Sequence, residues 1–159
     1  MNIHIICVGK LKEKYFKDAC AEYAKRLSRF VKLNITELAD EPIPERASKA
    51  EEIAVLHREG QKILSSIGSH EVVITLCVEG KHMSSMQLAG KISDCALHGQ
   101  SNLAFVIGGS LGLSEEIKQR SLLRLSFSEM TFPHQLMRVI LLEQLYRSFK
   151  INANESYHK

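Results

Sequence analysis

The chain has 159 residues, 45% of them hydrophobic and 25% charged, with a net charge of +3. That is enough for one core, burying roughly 70% of the surface an unfolded chain exposes. The balance excludes a disordered polyelectrolyte or a histone-like tail, and no apolar run nears the ~20 residues a bilayer demands. A nucleic-acid partner is permitted without being required.

Four cysteines, Cys7, Cys20, Cys77 and Cys95, are scattered without a CxxC pair, so neither a disulfide framework nor a metal site is expected. Cys7 and Cys77 lie in apolar runs and read as small buried hydrophobes. The opening Met1 to Val8 is too short for a secretory core and runs straight into charged residues, so a cytoplasmic location is expected.

In chain order, Ile3 to Val8 reads as a buried strand stopped by Gly9. A helix follows with Tyr15, Ala19, Tyr23 and Leu27 on one face. Val31, Leu33 and Ile35 alternate with polar residues, the pattern of a half-exposed edge strand. After the loop Glu41 to Arg46, Ser48 and Glu51 make a capping box for the next helix. Val72 to Val78 reads as a central strand with Gly80 beyond it, and Ser84 with Gln87 opens a helix toward Leu97. Leu103 to Ile107 is the next strand. Ser114 is placed to cap a short helix with Glu115 and Glu116 in its first turn. Leu122 to Phe127 forms a strand, and the last helix is expected from Pro133 to Ile151. Alternating strands and helices predict one α/β domain over 1–159, its mostly parallel sheet covered by helices on both faces.

Two strand ends open into backbone-rich loops, where an α/β protein binds small molecules. The first, Gly108-Gly109-Ser110-Leu111-Gly112, is neither a dinucleotide fingerprint nor a P-loop. It reads as a tight turn needing positive φ, and it holds no lysine or arginine to neutralise a polyphosphate. A phosphate-free ligand bound through backbone groups and apolar walls fits better. The second loop, Phe127-Ser128-Glu129-Met130-Thr131-Phe132, is either an apolar connector or a reader of an adenine edge through its backbone. His134 and Arg138 share one face of the last helix. The imidazole can take up a proton or bond a base edge, and the guanidinium can bind phosphate or simply solvate the helix end. Beyond them, Val139, Ile140, Leu141, Leu142, Leu145, Tyr146 and Phe149 cover more of the helix than one core face needs, so the helix is either central or at a subunit interface, and a homodimer is expected. The tail ends in Tyr157, His158 and Lys159: a stacking ring, a titratable ring and a cation.

Gly108 to Gly112, the stretch Leu125 to Arg138, the ending Tyr157-His158-Lys159 and the opening Val8-Gly9-Lys10-Leu11-Lys12 together resemble the ribosomal large-subunit methyltransferase H family, of the SPOUT class. The resemblance covers essentially the whole chain. It implies a C-terminal trefoil knot, a rare departure from unknotted chains, and a homodimer. It further implies methyl transfer from S-adenosylmethionine to N3 of a pseudouridine in 23S ribosomal RNA. By motif the cofactor contacts fall on Leu76, Gly108 and Phe127 through Phe132. His134 and His158 are then candidates for handling the N3 proton, Tyr157 for holding the target base, and Arg138 and Lys159 for phosphates. Some relatives end in arginine where this chain has Lys159, which trades a planar fork for a point charge. With so little net charge, the assembled ribosome is expected to supply more of the recognition than naked RNA. Two other readings remain: a nucleotide- or flavin-binding α/β enzyme without an RNA substrate, and a ribosome-binding factor without catalysis.

Overall fold

The computed structural model describes residues 1–157, in which strands and helices alternate strictly. The order is β1 (Asn2–Val8), α1 (Lys14–Leu27), β2 (Lys32–Leu38), α2 (Lys49–Ser66), β3 (Val72–His82), α3 (Ser85–Leu97), β4 (Asn102–Ile107), α4 (Glu115–Arg120), β5 (Leu123–Ser126) and α5 (His134–Asn152). All five strands are parallel, in the order β2-β1-β4-β3-β5. Their carboxyl ends therefore gather along one edge of the sheet.

Both faces are covered. Ile3, Ile5, Leu103 and Phe105 pack against Leu27 of α1, Ile92 of α3 and Leu142 of α5. Ile6, Val8, Val73 and Val106 pack on the other side against Ile63 of α2 and Ile117 of α4. Strands β1 and β4 are buried on both sides, which is why they read as unbroken apolar runs; β2, at the edge, alternates instead. No helix among the described residues is long and apolar enough to span a membrane. All four cysteines are free and buried, and burial pushes the Cys7 thiol up to about 12 against the opposing charge of Arg138.

The capping boxes at Ser48 and Ser84 both close, each hydroxyl accepting the backbone N–H three residues on. Ser114 differs. It occupies the N-cap of α4, yet its hydroxyl makes no capping bond; it is buried against α2, where a Cβ on Gly60 would lie 2.7 Å from its Oγ. Bare Gly60 is what lets α2 come so close to this turn.

Strand β3 continues past the expected end at Val78. Leu125 of β5 pairs with both Leu76 and Lys81, so the intervening residues bulge out of register. Gly80 lies within the strand, because a Cβ there would stand 2.7 Å from the Arg124 carbonyl oxygen. The bulge turns residues 77–79 toward the strand-end edge.

From β5 at one margin, residues 127–133 cross the carboxyl ends of β3 and β4 to reach β1 and β2, where α5 begins. Every residue of α5 from His134 to Ile151 is buried or half-buried, as its apolar circumference requires.

Candidate cofactor site

At the carboxyl ends of β3, β4 and β5 lies a cleft of about 650 Å³. Leu76 and the β3 bulge form one wall, the 108–113 turn another, and the crossing loop 127–133 the roof, with His134 and Met137 of α5 at its end. Parallel strands create this position by ending together, leaving the loops free to surround a ligand.

The glycine turn is built for close approach. A Cβ on Gly108 would sit 2.3 Å from the Gly112 carbonyl oxygen, so only hydrogen fits. Gly112 takes φ +84° and donates its N–H to the Gly109 carbonyl at 3.0 Å. Of the three glycines in this turn only Gly112 takes left-handed backbone, and it supplies the positive φ expected of the turn.

The roof is tied at its start. The Ser126 hydroxyl lies 2.9 Å from the Val78 carbonyl and 3.0 Å from that of Ser128, whose own hydroxyl accepts the Met130 N–H at 3.0 Å. Phe127 packs into the core while Met130 stands exposed at the mouth. Of the expected cofactor residues, Leu76, Gly108, Phe127, Ser128, Met130, Thr131 and Phe132 line the cleft. Glu129 is exposed and stands outside the lining.

His134 borders the same space, its ring laid over Gly9. A Cβ on Gly9 would come within 2.9 Å of Nε2, and Gly9 itself takes φ +92°. Lys118 also lines the cleft, held by Glu79 at 2.5 Å and Glu115 at 3.1 Å. The hydrogen bond it donates to Glu79 keeps its pKa above the ordinary lysine value. Among the described residues Lys118 is the one lysine or arginine at the wall, and it is already neutralised. A cradle that admits no side chain, apolar walls and, among the described residues, no unpaired lysine or arginine suit a purine nucleoside without phosphates.

Arg138 does not reach this space. It is 1% exposed, ion-paired with Glu37 of β2, and its Nη2 donates to the Gly9 carbonyl at 2.9 Å. Burial alone would raise the Glu37 carboxyl, but the bonds from Arg138 and the Leu11 N–H, with the charges of Arg138 and Lys10, hold it below the usual range. The expected phosphate contact is therefore corrected: the guanidinium is spent anchoring the start of α5.

A family model described as "Predicted SPOUT methyltransferase" matches residues 1–158. The chain belongs to this family. It is 60% identical to "Ribosomal RNA large subunit methyltransferase H" of Clostridium novyi, over 100% of both chains. Proteins of the same name from Bifidobacterium animalis and Lactobacillus acidophilus are 55% and 54% identical, again over 100% of each chain. The parallel α/β sheet with helices on both faces is the SPOUT fold, and a C-terminal trefoil knot is a feature of this class.

Within one SPOUT chain Tyr157 lies away from the cleft. Its hydroxyl bonds Glu143 at 3.2 Å, its ring meets Tyr146 edge-on at 4.9 Å, and Arg147 lies 4.7 Å over its face. Burial first, then Tyr23 and Glu143, push its phenol up to about 12. Tyr146 follows His134 by twelve residues of α5, about 18 Å at helical rise. His158 and Lys159 lie outside the described residues. Sequence reasoning missed Val78, Glu79 and Lys118, which reach the cleft only through the bulge and the α4 contact.

Proposed function

We propose that the protein transfers a methyl group from S-adenosylmethionine to N3 of a pseudouridine in 23S ribosomal RNA, acting in the cytoplasm on the assembled ribosome. The observation that carries this reading is the strand-end cleft, with its bare-backbone cradle and neutral walls, inside a chain matching methyltransferases along its whole length. The bound cofactor supplies an already activated methyl on a sulfonium, so no metal or covalent intermediate is called for. Gly108 and the backbone of 127–132 hold the adenosine, and Leu76 and Phe132 exclude water from it. His134, at the end of the cleft, takes the N3 proton in this reading as the new N–C bond forms and the S–C bond of the sulfonium breaks.

The reading includes a homodimer. Leu136 and Ile140 are half-buried on a side of α5 apart from the residues that pack into its own core, an apolar strip suited to a second copy. In such a dimer the partner's tail would serve the cleft, with Tyr157 to hold the target base and Lys159 a phosphate. His158 would share the proton-handling part with His134.

Calorimetry with S-adenosylmethionine, followed by methyl transfer from labelled cofactor to ribosomes lacking the modification, tests the proposal. Binding and label in large-subunit RNA are expected, with intact ribosomes far better substrates than a free hairpin. Tight binding of FMN or ATP with none of S-adenosylmethionine would overturn the reading. Cofactor binding with no transfer to any ribosomal substrate would leave only a binding factor.

A further inference from the structure

Glu59 lies in the second half of α2, on the face turned toward the sheet, and is 4% exposed. No residue of α2 lines the cleft, so this carboxyl lies behind its wall. A Cβ on Gly109 would meet Glu59 Oε2 at 3.1 Å and Oε1 at 3.3 Å, and Val8 Cγ1 at 3.1 Å. Oε1 also accepts the backbone N–H of Glu41, in the segment after β2, at 3.0 Å. The next residue, Gly60, touches Ser114 at the far end of the same turn. Helix α2 thus backs the turn at both ends, with a carboxyl at Gly109 and bare backbone at Ser114.

Burying a carboxyl without a cation is costly, and leucine or methionine would fill the space without that cost. Lys62, whose charge acts on the Glu59 carboxyl, is engaged by Glu41 at 2.5 Å and by the Ala39 carbonyl at 3.0 Å. We propose that Glu59 is a positioning residue of the cofactor site: its carboxyl braces the Gly109 turn from behind and ties it to the segment after β2, fixing the wall on which the adenosine is held. The inference rests on the cofactor reading above.

Burial raises the Glu59 carboxyl, and the charges of Asp40 and Glu41 raise it further, against the Glu41 N–H and Lys62. The turn 108–112 and Val8 face it with no ionisable side chain. The brace is therefore strongest with the proton on. Ionisation places a third negative charge beside Asp40 and Glu41, so cofactor affinity falls as pH rises through the Glu59 pKa.

The test is S-adenosylmethionine affinity by calorimetry across pH, for the intact protein, Glu59→Gln and Glu59→Ala, with hydrogen exchange at residues 108–112. Glu59→Gln keeps the shape and the acceptor for Glu41 N–H, so it should match the parent at low pH and lack the parent's loss at high pH. Glu59→Ala should bind about tenfold more weakly at low pH, exchange faster in the turn, and keep kcat at saturating cofactor within about threefold. A folded Glu59→Ala with parental affinity and exchange overturns the proposal. So does a Glu59→Gln with the parental pH slope, and that measurement decides the matter if the alanine variant does not fold. Failure of the unmutated protein to bind S-adenosylmethionine removes the cofactor reading itself, and this inference with it.

Discussion

The Arg138 guanidinium and the Glu37 carboxylate form an ion pair that fastens the first turn of α5 to β2 across 101 residues of sequence. Arg138 is the largest fully buried side chain, and its bond to the Gly9 carbonyl adds β1 to the junction. Cleft roof and sheet edge are held together at this point.

Arg138→Met should cost about 2–4 kcal/mol, because it leaves a partly buried carboxylate unpaired and a backbone carbonyl without its donor. The cost is read as a lower urea midpoint at unchanged slope. Arg138→Lys should recover only part of it, since one ammonium cannot serve Glu37 and Gly9 with the same fork. A methionine variant as stable as the parent would show that the pair contributes no net stability.

The same pair sets an acid dependence. In the unfolded chain Glu37 titrates near ~4.3, and in the folded protein it titrates lower. The native state therefore holds fewer protons in that window. Its stabilisation is complete above the unfolded value and is lost as pH falls through the folded one. Urea midpoints measured down through this range should fall less steeply for Arg138→Met than for the parent.

Gly108→Ala should damage the cradle directly, since its Cβ would meet the Gly112 carbonyl oxygen at 2.3 Å and the backbone has to move. We expect a stability loss of about 1–3 kcal/mol and at least tenfold weaker S-adenosylmethionine binding, on the order of one lost contact or more. Unchanged affinity by calorimetry would place the adenosine elsewhere.

His134→Gln should lower kcat by about a hundredfold if the imidazole takes the N3 proton, while cofactor affinity stays near the parental value. Gly9→Ala, whose methyl presses on Nε2 from a left-handed backbone, should mimic part of this loss without touching the imidazole chemically. Parental turnover in both variants would assign the proton to solvent or to another group.

In the proposed homodimer, a mixture of two variants tests which copy supplies the tail. Combining His134→Gln chains with chains truncated before Tyr157 leaves one complete site in each heterodimer if tails act on the partner's cleft. Random pairing then restores about a quarter of the parental rate. If each tail serves its own chain, no activity returns. Ile140→Asp should split the proposed dimer in sedimentation and abolish turnover with it; a parent that sediments as a monomer would remove the dimer reading.

The sheet and its helices were legible because their signals are local. Ser48 with Glu51 and Ser84 with Gln87 mark helix starts within four residues, and runs such as Leu103 to Ile107 declare strands buried on both faces. What sequence hid depends on distant neighbours. Arg138 reads as a surface cation until Glu37 is brought beside it. Gly80 reads as a strand terminator, although its role is to let Arg124 approach. Glu59 sits among the polar residues of an ordinary amphipathic helix, and nothing nearby in the chain announces the turn it touches. Gly108 and, Glu129 apart, the 127–132 loop line the cleft where the sequence placed candidates; Val78 and Glu79 were hidden because a register slip delivers them, and Lys118 because α4 brings it in.

Because the loop 127–133 runs from one margin of the sheet to the other, with Ser126 fastened at its start and Arg138 just past its end, the ligand chamber has no independent half. A nascent or clipped polypeptide lacking the last helix would possess the glycine bend and the loop, yet nothing to hold that loop closed over it. Competence for the methyl donor should accordingly arise in a single late event of synthesis, when residue 138 first meets residue 37.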